Sequence, residues 1–346
     1  MGNLSRNNHY IPKFYLKNWG VENKIWEMQL LVPNENLPVW RRESIKKTAF
    51  QKNLYIRTTG QSETDDFELW FNTDFESPVQ DAFFKAVNDE RLYPEDWEKL
   101  IHFLAAMSMR TPAQIVKMNN RLKQIVPEVL DKYVSELSKK EDHEIIKAVI
   151  EFTKNKKEDN SLFPSIFNLV KNPDENESDL MEIGVPVGKG LNLYAMNLIL
   201  TNTAGILQEH HWSIVTIADG MTWATSDDPV MCLNRYGKDD YDFNGGWGAV
   251  GSEIIFPISP TKAIYTQIGY KNLRRINLDT DMSNNIQRMI IKHAHRSIYS
   301  LLPDLEIEKI KPRMVDLKEY EEEEKTWEQF HQHHIDIEKK YYRDHE

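Results

Sequence analysis

The hydrophobic period of the chain changes within residues 191–217, which read LNLYAMNLILTNTAGILQEHHWSIVTI. From Leu191 to Leu207 the apolar side chains recur every three or four residues, which is the spacing of one face of a helix. From Trp212 to Ile217 the spacing becomes that of a strand. The change predicts that a helical region ends near residue 207 and that a sheet begins after it.

The chain after residue 217 favours further strands around one helix. Short apolar runs bounded by turn residues predict the strands, and helical spacing predicts the helix. The predicted strands are Thr222–Ala224, Ile254–Pro257, Ala263–Ile268 and Ile298–Leu302, and the predicted helix is Asp281–His295.

The chain before residue 191 begins with strands and continues with helices. A strand at Lys24–Val32, a turn at residues 33–36 and a return at Val39–Trp40 predict a hairpin that leads into residues 45–57. Helical spacing starts after Thr64, with a break at Pro78. Further predicted elements are helices from Pro94, from Pro112 to about Leu137 and over residues 143–152, and exposed loops at residues 155–160 and 171–178.

These elements predict an α+β fold, in which a helical middle region packs against a mostly antiparallel sheet built from both ends of the chain. We expect residues 1–315 to form a single large α+β domain and residues 316–346 to form a charged amphipathic C-terminal helix. That helix has one apolar stripe, which consists of Trp327, Phe330, His334, Ile337 and Tyr341. The stripe is expected to dock or to form a homo-oligomer.

The composition is that of a folded protein in a reducing compartment. Hydrophobic residues make up 40% of the 346 residues and aromatic residues 11%, which is too rich in core formers for a disordered chain. The single cysteine, Cys232, excludes an internal disulfide and a cysteine-rich zinc site. No stretch approaches the roughly 20 apolar residues that a membrane span needs. We therefore expect a cytoplasmic protein without a membrane partner.

The formal net charge of −11 argues against broad coating of DNA, because phosphate binding depends on basic charge. A local basic groove that binds nucleic acid is still compatible with this charge, and the alternative is that the basic residues form solvated faces. Two sets of basic residues could line such a groove: Arg41, Arg42, Lys46, Lys47, Lys52 and Arg57, and then Arg274, Arg275, Arg288, Lys292 and Arg296.

The first candidate site residue is His9, which lies in an aromatic segment made rigid by Pro12. A histidine held in this way has the fixed orientation that a proton-transfer group needs. The alternative is that His9 forms a hydrogen bond to a backbone carbonyl, which is the commoner role of a single histidine.

The second candidate is the segment of residues 223–230, WATSDDPV, in which a strand runs into a turn. Such turns present functional groups at strand ends, and Ser226 and Asp227 lie there. Adjacent carboxylates point to different sides, so only one of Asp227 and Asp228 is expected to face a site. The alternative is a turn in which Asp227 accepts backbone N–H hydrogen bonds.

The third candidate is the pair Arg288 and His293, which has the spacing seen in a class of helical ribonucleases. The two residues also fit a helix that alternates between core and solvent. The sequence contains no glycine-rich phosphate loop, no Gly-x-Ser-x-Gly elbow and no His-Glu-x-x-His zinc helix.

Several short motifs, in a consistent order, resemble the bacterial family known as domain of unknown function 4238. They are Asn8-His9-Tyr10-Ile11-Pro12-x-Phe14-x-Leu16, Arg110-Thr111-Pro112, Trp212 followed by Thr225-Ser226-Asp227-x-Pro229, and Phe256-Pro257-Ile258-Ser259-Pro260. The resemblance implies a shared fold and a polar site that groups His9, Arg110, Ser226 and Asp227. Such a group would combine an acid or base, a cation and a carboxylate.

The leading functional hypothesis is a phosphodiester hydrolase or nuclease that acts as a toxin-like or defence effector. Asp227 would bind Mg²⁺ or Mn²⁺ or orient His9, and Arg110 would hold a phosphate. The rival hypothesis is a non-enzymatic module that binds a ligand or partner protein. A cleft shared by His9 and Asp227 would favour the hydrolase, and separate surroundings would favour the binding module.

Overall fold

A computed structural model describes residue 4 and residues 6–59, 62–137, 167–170, 180–183, 188–237 and 239–343. The predicted helix at residues 143–152 and the predicted loops at residues 155–160 and 171–178 lie outside the described residues. Within them, the structure confirms an α+β fold with mostly antiparallel sheets.

The described elements are numbered along the chain. The strands are β1 (Asn7–His9), β2 (Lys24–Gln29), β3 (Leu31–Val32), β4 (Trp40–Ser44), β5 (Phe50–Lys52), β6 (Arg57–Thr59), β7 (Ser62–Thr64), β8 (Phe167–Val170), β9 (Leu180–Ile183), β10 (Ser213–Thr216), β11 (Thr225–Ser226), β12 (Met231–Arg235), β13 (Tyr241–Asp242), β14 (Glu253–Ser259), β15 (Lys262–Gln267), β16 (Arg275–Asn277), β17 (Ser297–Ser300) and β18 (Met314–Val315). The α-helices are α1 (Lys13–Leu16), α2 (Asp66–Phe71), α3 (Ser77–Val87), α4 (Pro94–Met107), α5 (Pro112–Leu137), α6 (Gly188–Leu198), α7 (Gly205–Gln208), α8 (Thr280–His293), α9 (Leu305–Ile310) and α10 (Leu317–Arg343).

Two larger sheets replace the one sheet that the sequence predicts. The four-stranded sheet has the order β11-β17-β2-β4 and joins strands from both ends of the chain, all antiparallel. The six-stranded sheet has the order β13-β12-β14-β15-β10-β16 and comes from the second half of the chain. Its edge pair β10 and β16 is parallel. The predicted hairpin of β2 and β4 is confirmed.

The six-stranded sheet is covered on both faces, and each residue of β14 is buried. Successive side chains of a strand point to opposite faces. Ile254 and Phe256 therefore belong to the main core, which also contains α3 and α4. Ile255 belongs to a second core, in which Ile286 and Met289 of α8 cover the other face.

Several helices begin at proline or capping residues that are recognisable in the sequence. Pro94 opens α4, and the backbone N–H of Tyr93 donates to the Asp96 carboxylate at 2.9 Å. The break predicted at Pro78 corresponds to a π-helical turn over Asn72–Glu76, which separates α2 from α3. Asp279 caps α8 by accepting the N–H of Met282 at 2.7 Å.

One predicted strand is wrong: residues 222–224 form no strand, and the short strand β11 begins at Thr225. The segment crosses from one sheet to the other. The N–H of Trp223 donates to the Pro260 carbonyl, and the N–H of Ala224 donates to the Gln287 side chain. Because both N–H groups already donate to these acceptors, they cannot pair the segment with a neighbouring strand.

The C-terminal helix α10 docks on the rest of the chain through a buried carboxylate. Glu338 accepts the backbone N–H of Lys189 and of Thr58, each at 2.7 Å. Gly188 precedes Lys189 at φ +61°, and a side chain there would overlap Glu338. No helix in the described part of the chain is long and apolar enough to cross a membrane.

Candidate functional site: an arginine and tryptophan cleft

A cleft of about 550 Å³ lies between the start of α4 and the β10/β16 edge of the six-stranded sheet. The loop that follows α3 forms one rim, and the residues that flank β16 form the other. We call it the Arg–Trp cleft after the side chains that line it: Arg91, Arg274 and Arg275, with Trp97 and Trp212.

Three arginines line this cleft against one aspartate, Asp89. Arg275 and Lys262 both form ion pairs with Asp89. Partial burial alone would raise the pKa of Asp89, but the Lys262 ammonium and the Arg275 guanidinium outweigh it and lower that pKa. The aspartate is therefore held ionised and neutralised, and the cleft carries an excess of positive charge in a chain of formal charge −11.

The two tryptophans give the cleft planar apolar walls. The indole N–H of buried Trp212 donates to the Leu207 carbonyl at 2.7 Å, which fixes that ring. The guanidinium of Arg274 lies 5.2 Å from the centre of the Trp97 ring. This distance is within cation–π range, so the ring holds the exposed arginine in place.

A histidine also lines the cleft, and its tautomer follows from its partner. Nε2 of His210 lies 2.6 Å from the Trp247 carbonyl oxygen. A carbonyl only accepts, so Nε2 carries the proton and donates. In the neutral imidazole Nδ1 is then left with the lone pair, which is the form that can accept a proton.

Of the family motif residues Trp212 lines the cleft, whereas the four polar candidates lie elsewhere and their polar groups are mostly satisfied within the chain. The guanidinium of Arg110 is 1% exposed; it donates to Glu76 at 2.6 Å and to the His9 carbonyl at 2.8 Å. Burial disfavours the charge, but Tyr55 and Glu76 raise the pKa of Arg110. Burial and the nearby Lys13 lower the pKa of His9. Arg110 thus contacts the backbone of His9.

Asp227 binds two backbone amides from a distant part of the chain. Its carboxylate accepts the N–H of His295 at 2.8 Å and of Arg296 at 2.7 Å. Burial raises the pKa of Asp227, although these amides and His295 oppose the rise. The hydroxyl of Ser226 accepts the N–H of Asp228 at 3.3 Å. Both residues are buried.

The neighbouring Asp228 points to a different side, as predicted for adjacent carboxylates. It accepts the Thr111 hydroxyl at 3.1 Å and the Gln114 amide at 2.8 Å. Nδ1 of His293 donates to the Asp228 carbonyl at 2.8 Å. The motif segments around residues 9, 110 and 227 therefore converge in space. Arg110 and Asp227 bind backbone groups and Thr111 binds the Asp228 side chain, and none of His9, Arg110, Ser226 and Asp227 lines the Arg–Trp cleft.

Sequence reasoning found part of the cleft. Arg274 and Arg275 belong to the second predicted basic set, whereas Arg91, Trp97 and His210 were not singled out as binding residues. Trp97 is half-buried on α4, and its place in the cleft depends on the sheet edge opposite. In the first basic set, Arg57 is buried in a two-point ion pair with Asp66.

The described residues contain no group of three or more histidine, cysteine, aspartate or glutamate side chains that could hold a metal ion. The assignment of a metal to Asp227 stays a prediction. Both oxygens of Asp227 already accept hydrogen bonds from backbone amides.

Comparison with protein families gives one match over most of the chain. The model of a family described as protein of unknown function (DUF4238) matches residues 7–302. No curated protein and no solved structure matches the chain.

Proposed function

The chain belongs to the DUF4238 family, whose description assigns no activity, and from the geometry of the cleft we propose that the protein binds a nucleotide unit. The observation that carries the proposal is the combination of three arginines and two tryptophans in the Arg–Trp cleft. Nucleotides present a phosphate and a flat base, and this lining has partners for both.

Each wall suits one part of a nucleotide. Arginine is the side chain best suited to phosphate, because its planar fork donates two parallel hydrogen bonds. Arg91 and Arg274 line the cleft and can bind that group, whereas both terminal nitrogens of Arg275 already donate to Asp89 and Glu90. A base stacks readily on an arginine plane or an aromatic ring. Arg274, held over Trp97, offers such a plane.

The size and the charge of the cleft support the same ligand. A volume of about 550 Å³ lies within the usual range of small-molecule sites, which is roughly 300 to 1,000 Å³. The local positive charge attracts a phosphate, whereas the net charge of −11 disfavours contact with a long duplex. We therefore expect a free nucleotide or a short single strand rather than duplex DNA.

The test is binding of a fluorescein-labelled hexauridylate, followed by fluorescence anisotropy, with unlabelled AMP and ATP as competitors. Loss of one charge-assisted hydrogen bond costs about 1.5–3 kcal/mol. The variants Arg274→Gln and Arg91→Gln should therefore bind at least about tenfold more weakly, since about 1.4 kcal/mol corresponds to a factor of ten.

The matched control is Arg288→Gln, which removes an exposed arginine of α8 that does not line the cleft. Its affinity should equal that of the wild type. Competition by AMP would indicate a free nucleotide, and binding of the hexamer without competition would indicate a single strand. The absence of any binding at millimolar ligand, or equal loss in Arg288→Gln and Arg274→Gln, would reject the proposal.

Phosphodiester hydrolysis is the second candidate function, and His210 is the observation that favours it. Its Nδ1 lone pair belongs to the same cleft as the arginines, so a bound phosphodiester would have a base within the site. Release of product from the hexamer, with Mg²⁺ or Mn²⁺ added, should be lost in His210→Gln while binding persists. If the wild type binds the hexamer without turnover, hydrolysis is rejected and the protein is a non-enzymatic binding module.

The hydrolase predicted from the motifs uses His9, Arg110, Ser226 and Asp227 instead. We propose that these residues stabilise the folded structure, because Arg110 and Asp227 are buried and form hydrogen bonds with backbone groups. Turnover that disappears in a folded Asp227→Ala variant, but persists in His210→Gln, would return catalysis to the motif residues. A role as a toxin-like or defence effector would rest on such turnover.

A further inference from the structure

A second cavity, of about 420 Å³, lies on the opposite face of the six-stranded sheet, between the sheet and α8. Neighbouring residues of β10 and of the edge strand β16 line different cavities. Ile214 and Arg275 line the Arg–Trp cleft, whereas Val215 and Ile276 line the second cavity. Because side chains alternate along a strand, the sheet itself separates the cavities.

The walls of this second cavity are largely apolar. Val215, Ile255 and Ile276 come from the sheet, and Leu278 and Ile286 come from the segment that leads into α8 and from α8 itself. Apolar walls of this kind gain free energy when an apolar ligand displaces water from them.

One end of the cavity is polar. Arg235 donates from Nε and Nη2 to Glu253 at 2.7 Å and 3.0 Å. Burial raises the pKa of Tyr265, which also lines the space, so its phenol stays protonated. A ligand therefore meets a fixed ion pair and a neutral phenol beside the apolar walls.

Asn272 also lines the cavity and supplies an unused donor. Its side-chain amide nitrogen is buried, and no described residue accepts a hydrogen bond from it. A buried donor without a partner costs about 1–3 kcal/mol, so a native structure that retains one invites an explanation. A ligand that brings an acceptor oxygen would remove this cost.

We propose that this cavity binds a small, uncharged amphipathic molecule, with an apolar body against α8 and a carbonyl oxygen that accepts from Asn272, because Asp281 and Glu253 in the lining disfavour a carboxylate. The ligand would be separate from the nucleotide, because the sheet lies between the two sites. This inference does not depend on the proposed nucleotide binding.

The probe for the test is 6-propionyl-2-dimethylaminonaphthalene, a neutral fluorophore with an apolar ring system and one ketone oxygen. Its emission shifts to the blue in apolar surroundings, and it has no negative charge that would direct it to the arginines of the other cleft. We expect saturable binding with one molecule per chain. Direct excitation of the probe and its anisotropy give the affinity.

Two variants address the site, and one serves as control. Met282→Trp enlarges a side chain of α8 that lines the cavity and is 53% exposed, so the protein should fold while the space is filled. Asn272→Ala removes the donor. Each should weaken binding at least tenfold. Leu305→Trp, at a residue of α9 that is 70% exposed and lines neither cavity, should not.

The proposal is overturned if the wild type shows no saturable binding, or if Met282→Trp and Asn272→Ala bind the probe as Leu305→Trp does. Arg274→Gln separates the two sites. This variant should bind the fluorophore with full affinity even though it binds the nucleotide more weakly. If Arg274→Gln also binds the fluorophore more weakly, the probe lies in the Arg–Trp cleft instead.

Discussion

At the scale of single residues, Asp227 shows how a motif carboxylate can serve the fold. Its side chain is buried and joins the turn after β11 to the backbone that connects α8 to β17. The sequence allowed an acceptor of backbone N–H groups at this position. It could not show that the donors are His295 and Arg296, because they lie more than sixty residues away.

We predict that Asp227→Asn destabilises the protein by about 2 kcal/mol, since hydrogen bonds to charged groups contribute about 1.5–3 kcal/mol. Asparagine has only one acceptor oxygen, and its side-chain NH₂ would face one of the two backbone N–H donors. The free energy of unfolding in urea measures the effect. Asp279→Asn is the control, because Asn caps a helix as well as Asp. Equal losses of unfolding free energy in Asp227→Asn and Asp279→Asn would contradict the prediction.

Glu27 provides a prediction about pH. Burial raises its pKa from 4.5 to about 7, although the Ser297 hydroxyl and Arg41 lower it and Glu43 and Asp227 raise it further. The folded protein therefore retains a proton that the unfolded chain releases. The stabilisation that Glu27 provides is complete below pH 4.5 and is lost as the pH rises through about 7.

The expected result is that the wild type loses up to about 3 kcal/mol of unfolding free energy relative to Glu27→Gln between pH 4.5 and pH 8, since one pKa unit corresponds to about 1.36 kcal/mol. The difference between the two proteins is the quantity to measure, because other groups titrate equally in both. A difference that stays constant over this range would show that Glu27 titrates normally.

At the scale of elements, periodicity and capping residues predicted where most described helices begin. Pro94 and Pro112 agree with the structure as helix starts. The failure at residues 222–224 has a physical reason. A short apolar segment has the same local pattern in a strand as in a crossing between sheets, and only the distant partners of Trp223 and Ala224 distinguish the two.

The docking of α10 depends on Glu338, whose pKa burial raises even though the amides of Thr58 and Lys189 oppose the rise. We predict that Glu338→Gln releases the helix, because glutamine has a single acceptor oxygen for the two N–H groups. The loss of about 1.5 kcal/mol or more should speed amide hydrogen exchange in residues 317–343 about tenfold or more.

The control for this prediction lies on the same helix. Asp336 is exposed and accepts the Gln332 amide at 2.8 Å, so Asp336→Asn alters a carboxylate of α10 that does not reach the rest of the fold. Its exchange should match the wild type. Equal exchange in all three proteins would mean that the apolar contacts of α10, such as buried Ile335, hold the helix without Glu338.

At the scale of the whole molecule, the sequence predicted the class of fold and only part of the Arg–Trp cleft, namely Arg274 and Arg275. The family motifs converge, as their shared order suggested, but they converge in the interior. The Arg–Trp cleft is assembled from the loop before α4, from His210 and from the edge of β16, which are far apart in sequence. No local pattern marks such a cleft, because its residue types are common on solvated surfaces.

Charge provides the last prediction. A protein of formal charge −11 with a small basic cleft should contact few phosphates, in contrast to a basic protein that coats nucleic acid. For single strands, the slope of log affinity against log salt is about −0.7 for each phosphate contact, so Arg91 and Arg274 together predict a slope of about −1.4. Anisotropy of the labelled hexauridylate from low to physiological potassium chloride measures it. Arg274→Gln should make the slope shallower by about 0.7, and Arg288→Gln should leave it unchanged. A slope near zero would mean that the arginines do not contact phosphates. A slope steeper than about −5 would require a basic surface well beyond this cleft.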